Sequence, residues 1–127
     1  MKLIINLPAF NEEAKIGETI KKIPRHISSI DEVFIQVIDD GSKDKTGQIA
    51  EKLAKDNKNI RVIHHPKNLG YGEALKSGFY NAKFDVIVYT DGDSQFDFSE
   101  VKKFIDKLNE ADLIIGYRIK RKDPLFR

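Results

Sequence analysis

The stretch VIVYTDGD, residues 86–93, ends an apolar segment on two aspartates. Its first four residues are β-branched or aromatic and do not alternate with polar residues, which is typical of a parallel strand buried on both faces. Asp91 and Asp93 then place two carboxylates one residue apart, and these repel each other unless a cation, a lysine or a helix N-terminus lies close. The stretch therefore predicts a buried strand that carries an acidic site to one edge of a sheet.

The rest of the chain repeats this alternation between short apolar runs and helical spacing. Runs rich in β-branched residues occupy 3–8, 32–39, 60–65, 85–90 and 112–117. Between them lie four apolar stripes with helical spacing, which begin at Ile16, Thr46, Leu75 and Val101. Strand and helix alternation with short connections predicts a three-layer α/β/α fold, in which a mostly parallel sheet lies between two layers of helices.

Length and composition narrow the class of protein. The chain has 127 residues, which suits one domain, and it contains no cysteine. Disulfides, thiol catalysis and thiolate metal sites are thereby excluded, and a reducing cytoplasm is favoured. No apolar run approaches the ~20 residues of a membrane-spanning helix, and the N-terminus lacks the pattern of a secretory leader.

The net charge of +2 is unevenly distributed. Residues 116–127 contain five Lys or Arg and one Asp. A basic segment of this kind can face phosphates, an anionic membrane or only water. We expect no nucleic-acid partner.

Polar side chains follow every predicted strand at the same end. The five segments are PAFNEE, DDGSKDKT, HPKNLGYGEA, TDGDSQFD and GYRIKRKD. The opposite ends of the strands meet ordinary solvated turns. Because ligands of open parallel sheets bind outside the carboxyl ends of the strands, we predict a site at this edge.

The acidic motif after the fourth strand has three interpretations. Asp91 and Asp93 can supply oxygen ligands to Mg²⁺ or Mn²⁺, and Gln95 can add a neutral oxygen. Alternatively, Asp91 is the nucleophile of a phosphoryl transfer. Asp97 has the spacing of a capping box with Glu100, so it is interpreted as the N-cap of the next helix.

The other loops mix structural and functional signals. Gly41 permits a tight turn, and Ser42 or Asp44 can cap the following helix. A cap does not need both preceding aspartates, so one carboxylate is free to accept a hydrogen bond from a nucleobase or a ribose. Asn11 is also placed to cap a helix. Further along the chain, we interpret His64 and His65 as strand-end residues rather than metal ligands. Gly70 and Gly72 are a weak signal of phosphate binding.

Taken in order and spacing, the five segments resemble glycosyltransferase family 2 of the GT-A fold, a Rossmann-like nucleotide-diphospho-sugar transferase architecture. The resemblance covers nearly the whole chain and is closest in style to the dolichyl- and polyprenyl-phosphate sugar synthases. It implies an inverting hexosyltransferase with a UDP- or GDP-sugar donor, Mn²⁺ or Mg²⁺ as cofactor, and a polyprenyl phosphate or glycan acceptor. A cytoplasmic protein, peripheral at the inner face of the membrane, fits that acceptor.

The resemblance also implies a set of site residues. The substrate-binding positions are Pro8, Phe10, Glu12, Ile38, Asp40, Asp91, Gly92, Asp93 and Arg118. Asp40 matches the acid that reads the base, and Arg118 matches a basic residue that meets donor or acceptor phosphate. The implied metal ligands are Asp91, Asp93 and Gln95.

The chain departs from the family in length. Related enzymes are longer and carry a catalytic acid in their acceptor half, and no candidate base is found among these residues. We expect residues 1–127 to form a single nucleotide-sugar-binding domain that is the N-terminal portion of such an enzyme and transfers sugar poorly alone.

Three alternatives remain at this stage. A phosphatase of the haloacid-dehalogenase type would use Asp91 as nucleophile and Asp93 as acid and base, but that family has its motif after the first strand. A phosphoacceptor receiver domain would likewise have its acidic pair after the first strand. The third alternative is a non-catalytic nucleotide-binding module.

Overall fold

A computed structural model describes residues 1–90 and 98–114, which form a parallel sheet flanked by helices. The strands are β1 (Lys2–Ala9), β2 (Glu32–Asp39), β3 (Ile60–His64) and β4 (Val86–Tyr89). The helices are α1 (Ile16–Lys22), α2 (Thr46–Asp56), α3 (Tyr71–Tyr80) and α4 (Val101–Ile105), the last preceded by a 3₁₀ turn at Phe98–Glu100. The predicted α/β class and the parallel sheet are confirmed.

The strand order β3-β2-β1-β4 explains where the helices lie. The chain moves outward from β1 to β3 and then crosses back over the sheet to β4. Since parallel crossovers are right-handed, reversing the direction of travel moves the connecting helix to the other face. α3 therefore packs on one face of the sheet, while α1 and α2 pack on the opposite face.

The face that carries α1 and α2 holds the apolar core. Alternate residues of β1 and β2 point to it, and they cluster with the apolar sides of α1, α2 and α4. The fully buried members include Leu3, Ile5, Leu7, Ile16 and Ile35. Burying aliphatic side chains of this size stabilises the fold by about 1.5–3 kcal/mol each.

The face under α3 carries a polar row instead. The register aligns one residue from each strand across the sheet: Arg61, Gln36, Asn6 and Tyr89. Gln36 is fully buried and donates to Asn6 Oδ1 (2.8 Å) and to the Gly78 carbonyl of α3 (3.1 Å). Tyr89 donates to the Leu75 carbonyl of α3 (2.8 Å). Side chains from two strands thus fix α3 along its axis.

Close approach of α3 to this row depends on small residues. Among the residues of α3 only Ala74 and Gly78 are buried. A Cβ atom at Gly78 would lie 3.0 Å from Ile38 Cδ1 and 3.2 Å from Asn6 Cγ. Glycine therefore lets the helix backbone reach the amide of Gln36.

Two details of the predicted fold differ from the structure. β4 is the end strand of the sheet formed by residues 1–90 and 98–114, and only its Val86 is buried, so burial of this strand on both faces is not observed there. Residues 112–114 of the predicted fifth strand are not extended in a strand, and its remainder lies outside the described residues. The predicted cap Asp97 also lies outside them. Within the described parts of the chain, no helix is long and apolar enough to cross a bilayer.

Gly41 is required by both its conformation and its surroundings. Its φ of 71° lies in the left-handed region. A Cβ atom there would lie 2.2 Å from the carbonyl carbon of Lys67 and 2.3 Å from the Asn68 nitrogen, which are backbone atoms and do not give way. The loops after β2 and β3 are therefore in direct contact at this glycine.

We predict that Gly41→Ala lowers the free energy of unfolding by roughly 2 kcal/mol or more, because the left-handed conformation alone costs a residue with a Cβ about 1–2 kcal/mol. Gly72→Ala in α3 is the matched control, since its Cβ meets no atom within 4 Å. We expect that control to gain about 0.5–1 kcal/mol from helix propensity. Urea denaturation checks both values, and equal stability of the two variants would contradict this account of Gly41.

Candidate functional site

The carboxyl ends of β1 and β4 meet where the order of the sheet reverses. These two strands are neighbours in the sheet although β2 and β3 lie between them in sequence. Such a reversal opens a crevice between the loops that leave the strands, and ligands of open α/β sheets bind there. Phe10 follows β1 at this point, and Thr90 follows β4. The backbone amide of Thr90 donates to the Asn6 carbonyl (3.2 Å).

The loop after β1 is bound to the loop after β2 by reciprocal hydrogen bonds. The Asn11 amide donates to Ser42 Oγ (3.0 Å), and the Lys43 amide donates back to Asn11 Oδ1 (2.9 Å). Asn11 adopts a φ of 52°, which the short polar side chain of Asn tolerates. The predicted role of Asn11 as a helix cap is therefore wrong: α1 begins at Ile16, and the Asn11 side chain binds the neighbouring loop instead.

A second set of bonds continues this connection toward the helices. The Glu12 amide donates to Thr46 Oγ1 (2.8 Å), and the Glu13 amide donates to Asp44 Oδ2 (3.2 Å). The Lys45 amide donates to Glu13 Oε2 (3.2 Å). Asp44 Oδ1 also accepts the Thr46 amide (2.9 Å) at the start of α2, although the N-cap position of this helix is Lys45, which makes no side-chain cap bond. The two loops thus form one wall whose shape is set before any ligand arrives.

Phe10 stands out on this wall as an exposed aromatic residue. Phe10 is 42% exposed, whereas the neighbouring Ala9 is 4% exposed. Pro8 and Ile38 lie on the strands behind it and are buried. A partly exposed aromatic ring next to a loop that is hydrogen-bonded to its neighbour can stack on a planar ligand.

Asp40 lies immediately behind the wall and is 4% exposed. Its carboxylate accepts hydrogen bonds from four groups of the segment after β3. The donors are His65 Nδ1 (2.7 Å), the Leu69 amide (2.9 Å), the Gly70 amide (3.1 Å) and Asn68 Nδ2 (3.1 Å). Burial raises the pKa of Asp40, but the bonds from His65, Leu69 and Gly70 outweigh burial and lower the pKa below its ordinary value. The group therefore stays ionised.

Asp39 forms a parallel pair with His64. Asp39 Oδ2 lies 2.9 Å from His64 Nδ1, and Glu51 Oε1 lies 2.8 Å from His64 Nε2. Both ring nitrogens therefore face acceptors, an arrangement that only the imidazolium satisfies fully. Burial lowers the pKa of His64, but the bonds to Asp39 and Glu51 outweigh burial and raise the pKa above its ordinary value. The ring borders an open cleft of about 540 Å³ beside α2.

The sequence analysis did not predict these two aspartate–histidine pairs, which lie at the carboxyl ends of the strands. The sequence predicts His64 and His65 only as strand-end residues, and they lie at the end of β3 and just after it. The register pairs Asp39 with His64, and consecutive acids beside consecutive histidines on adjacent parallel strands are the signal that would have revealed the pairing.

The residues expected to bind a metal lie outside the described part of the chain. Asp91, Gly92, Asp93 and Gln95 follow β4 directly in sequence, and Arg118 lies in the segment after Ile114. Among residues 1–90 and 98–114, no three acidic or histidine side chains converge in a way that suits a metal ion. The structure thus places Pro8, Phe10, Glu12, Ile38 and Asp40 at or just after the carboxyl ends of β1 and β2, and it leaves the metal ligands as predictions.

Comparison with known proteins gives a consistent family. The family model of Glycosyl transferase family 2 matches residues 4–127. The chain is 30% identical over 130 residues to dodecaprenyl-phosphate galacturonate synthase of Rhizobium johnstonii, covering 99% of this chain and 38% of that protein. It is 32% identical over 124 residues to a dolichyl-phosphate beta-glucosyltransferase of Trichomonas vaginalis, covering 88% and 37% respectively. The chain thus spans well under half the length of these two relatives.

Solved structures agree on the fold. A mannosyltransferase of Pyrobaculum calidifontis in complex with GDP-Man and Mn²⁺ superposes with a TM-score of 0.74 at 20% identity, covering 85% of this chain and 32% of that one. TarS of S. aureus (residues 1–349) in complex with UDP-GlcNAc superposes with a TM-score of 0.67 at 27% identity, covering 87% and 32%. The described sheet and helices therefore have the GT-A architecture.

The His64 pair makes a prediction for pH. The pKa of His64 is raised in the folded state. The stabilisation that its ion pairs give to the fold is therefore fully present below the unfolded pKa of about 6.5, and it is lost as the pH rises through the folded pKa. We predict that His64→Gln lowers the free energy of unfolding at acidic pH by roughly 0.2–1 kcal/mol, the range of exposed ion pairs, and by less at alkaline pH. Urea denaturation at several pH values measures this, with exposed His26→Gln as the control. The same pH slope in both variants would contradict it.

Proposed function

The chain belongs to glycosyl transferase family 2, and we propose that it forms the donor-binding part of a hexosyltransferase that uses a nucleoside-diphosphate sugar. The observation that carries this proposal is the wall of two interlocked loops at the reversal of the sheet, with Phe10 exposed upon it. A preformed wall beside the carboxyl ends of β1 and β4 suits a ligand with a flat base and an extended diphosphate.

The proposed donor site combines described residues with those of the acidic segment. Pro8, Phe10 and Glu12 form the side after β1, and Ile38 and Asp40 form the side after β2. Asp91, Gly92, Asp93 and Arg118 complete the set on the diphosphate side. For Asp40 we propose the role that the family resemblance implies, which is to read the base through its carboxylate; the lowered pKa of Asp40 keeps this group ionised.

A divalent cation fits the chemistry of the predicted metal ligands. Asp91, Asp93 and Gln95 offer carboxylate and amide oxygens, the ligands that Mn²⁺ and Mg²⁺ accept while keeping positions open for phosphate oxygens. When bound, such an ion neutralises the charge that develops on a nucleoside-diphosphate leaving group. The mannosyltransferase with GDP-Man and Mn²⁺ is consistent with this cofactor.

For the acceptor we propose a polyprenyl phosphate, with inversion at the anomeric carbon. The support is the naming of the relatives as dodecaprenyl-phosphate and dolichyl-phosphate sugar transferases. The basic segment 116–127, which includes Arg118, offers guanidinium groups for bidentate phosphate contacts. An enzyme of this kind would work peripherally at the cytoplasmic face of a membrane.

We predict that the chain binds UDP or GDP more tightly with Mn²⁺ than without it, and that Asp93→Asn removes this gain because the metal loses a carboxylate ligand. Asp56→Asn, an exposed acid at the end of α2, is the matched control. Calorimetric titration of each nucleotide with and without the metal measures the effect. Absence of selective nucleotide binding by the wild type would favour the phosphatase or receiver alternatives and reject the proposed function.

We also predict that Phe10→Ala weakens nucleotide binding by about 1–3 kcal/mol, the range for loss of one aromatic–base stack. Since Phe10 is exposed, this substitution should leave the free energy of unfolding nearly unchanged. Phe79→Ala is the matched control, because Phe79 is 56% exposed and lies on the second half of α3. If the two variants bind nucleotide equally well, Phe10 does not contact the base.

A further inference from the structure

Asp39, the last residue of β2, divides its carboxylate between two donors. Oδ1 accepts the Ser42 amide (3.0 Å), and Oδ2 lies 2.9 Å from His64 Nδ1. The side chain of Asp39 is 9% exposed, whereas that of His64 is 44% exposed. A buried carboxylate that loses one of its donors keeps an unpaired oxygen away from water, which is costly. Both bonds are therefore needed to hold this carboxylate in one orientation.

The first turn of α2 packs directly on the pair of Asp39 and His64. A Cβ atom at Gly47 would lie 2.5 Å from Asp39 Oδ2 and 3.0 Å from His64 Cε1. Glycine at this buried position leaves room for the pair, and any side chain there would displace it. On the other side of the ring, His64 Nε2 lies 2.8 Å from Glu51 Oε1 of the same helix. The imidazole ring is thus fixed between β2 and α2.

The bond from the Ser42 amide leads on to the exposed aromatic residue of the proposed site. Ser42 Oγ accepts the Asn11 amide (3.0 Å), and Asn11 Oδ1 accepts the Lys43 amide (2.9 Å). Phe10 directly precedes Asn11 in the chain. Three hydrogen bonds in series thus join the His64 ring to the residue after Phe10: His64 to Asp39, Ser42 to Asp39, and Asn11 to Ser42.

We infer that His64 is a positioning residue of the proposed donor site, which acts through Asp39 on the turn at Ser42 and thereby on the loop that carries Phe10. The inference rests on the proposed function. The bond to Asp39 needs only a proton on Nδ1, which the imidazolium and one neutral tautomer both carry. Loss of this bond lets the turn at Ser42 shift, so that the loop after β1 no longer holds Phe10 in place for stacking on a base.

Two variants of His64 separate positioning from a general contribution to stability. His64→Leu removes both bonds of the ring. His64→Asn keeps an amide nitrogen as many bonds from Cα as Nδ1 is, so it retains a donor for Asp39 and loses only the bond to Glu51. A general loss of stability would affect both variants alike.

The first measurement is calorimetric titration with UDP or GDP, whichever the wild type binds, in the presence of Mn²⁺. We expect His64→Leu to weaken binding about tenfold and His64→Asn to stay within about twofold of the wild type. The exposed His26 supplies the control variant His26→Leu, which should bind as the wild type does. Equal losses in His64→Leu and His64→Asn would overturn the inference.

A double-mutant cycle tests the route through Ser42. Ser42→Ala removes the oxygen that accepts the Asn11 amide and keeps the amide that donates to Asp39. If His64 acts through Ser42, the losses in Ser42→Ala and His64→Leu do not add, and the double variant binds within about threefold of the weaker single variant. Additive losses would overturn the inference.

Amide hydrogen exchange of the ligand-free protein separates failure of this inference from failure of the proposed function. We expect the Asn11 and Ser42 amides to exchange about tenfold faster in His64→Leu than in the wild type or in His64→Asn. Unchanged exchange at both amides, or wild-type nucleotide affinity in His64→Leu, overturns the inference and leaves the proposed function standing. If the wild type binds no nucleotide, the proposed function is rejected, and the role of His64 at a donor site is rejected with it.

Discussion

The parallel register at the carboxyl ends of β1, β2 and β3 is the constraint on which the site depends. Ala9 pairs with Asp39, and Asp39 pairs with His64, so three strands end on one row. The next residues are then forced to be neighbours: the Asp40 amide donates to the Ala9 carbonyl, and the His65 amide donates to the Asp39 carbonyl, both at 2.9 Å. A slip of one residue would turn these side chains to opposite faces and separate the pairs.

Given that row, the loops use their polar groups on one another. Asn11, Ser42 and Asp44 are residues that commonly cap helices, yet Asn11 and Ser42 bind across the gap between two loops. The N-cap positions of α1, α2 and α3 make no side-chain cap bond. These side chains therefore stabilise the contact between two loops rather than the ends of single helices. Loops that are already joined in this way lose less conformational entropy when a ligand binds.

How much of this the sequence could reveal depends on the range of each interaction. The strands β1 to β4 follow from runs of β-branched residues, and the site edge follows from the order of strands and polar loops; both are local patterns. The pairing of His65 with Asp40 and the bond from Lys43 to Asn11 join residues that lie 25 and 32 positions apart. Such contacts depend on the register between neighbouring strands, which the hydrophobic pattern of the sequence does not predict. The predicted cap at Asn11 is wrong for that reason, since the local spacing of Asn11 fits a helix cap and a bond to Lys43 equally well.

The two faces of the sheet are held by different forces, and that difference bears on the site. The face with α1 and α2 is joined by apolar packing, which is non-directional and allows small shifts. α3 buries only Ala74 and Gly78 and is located by hydrogen bonds from Gln36 and Tyr89 to its carbonyls. Directional bonds fix a helix along its axis as well as against the sheet. The Leu69 and Gly70 amides at the entry to this same helix donate to Asp40, so hydrogen bonds to α3 and its entry join the middle of the sheet to the edge where the donor site is proposed.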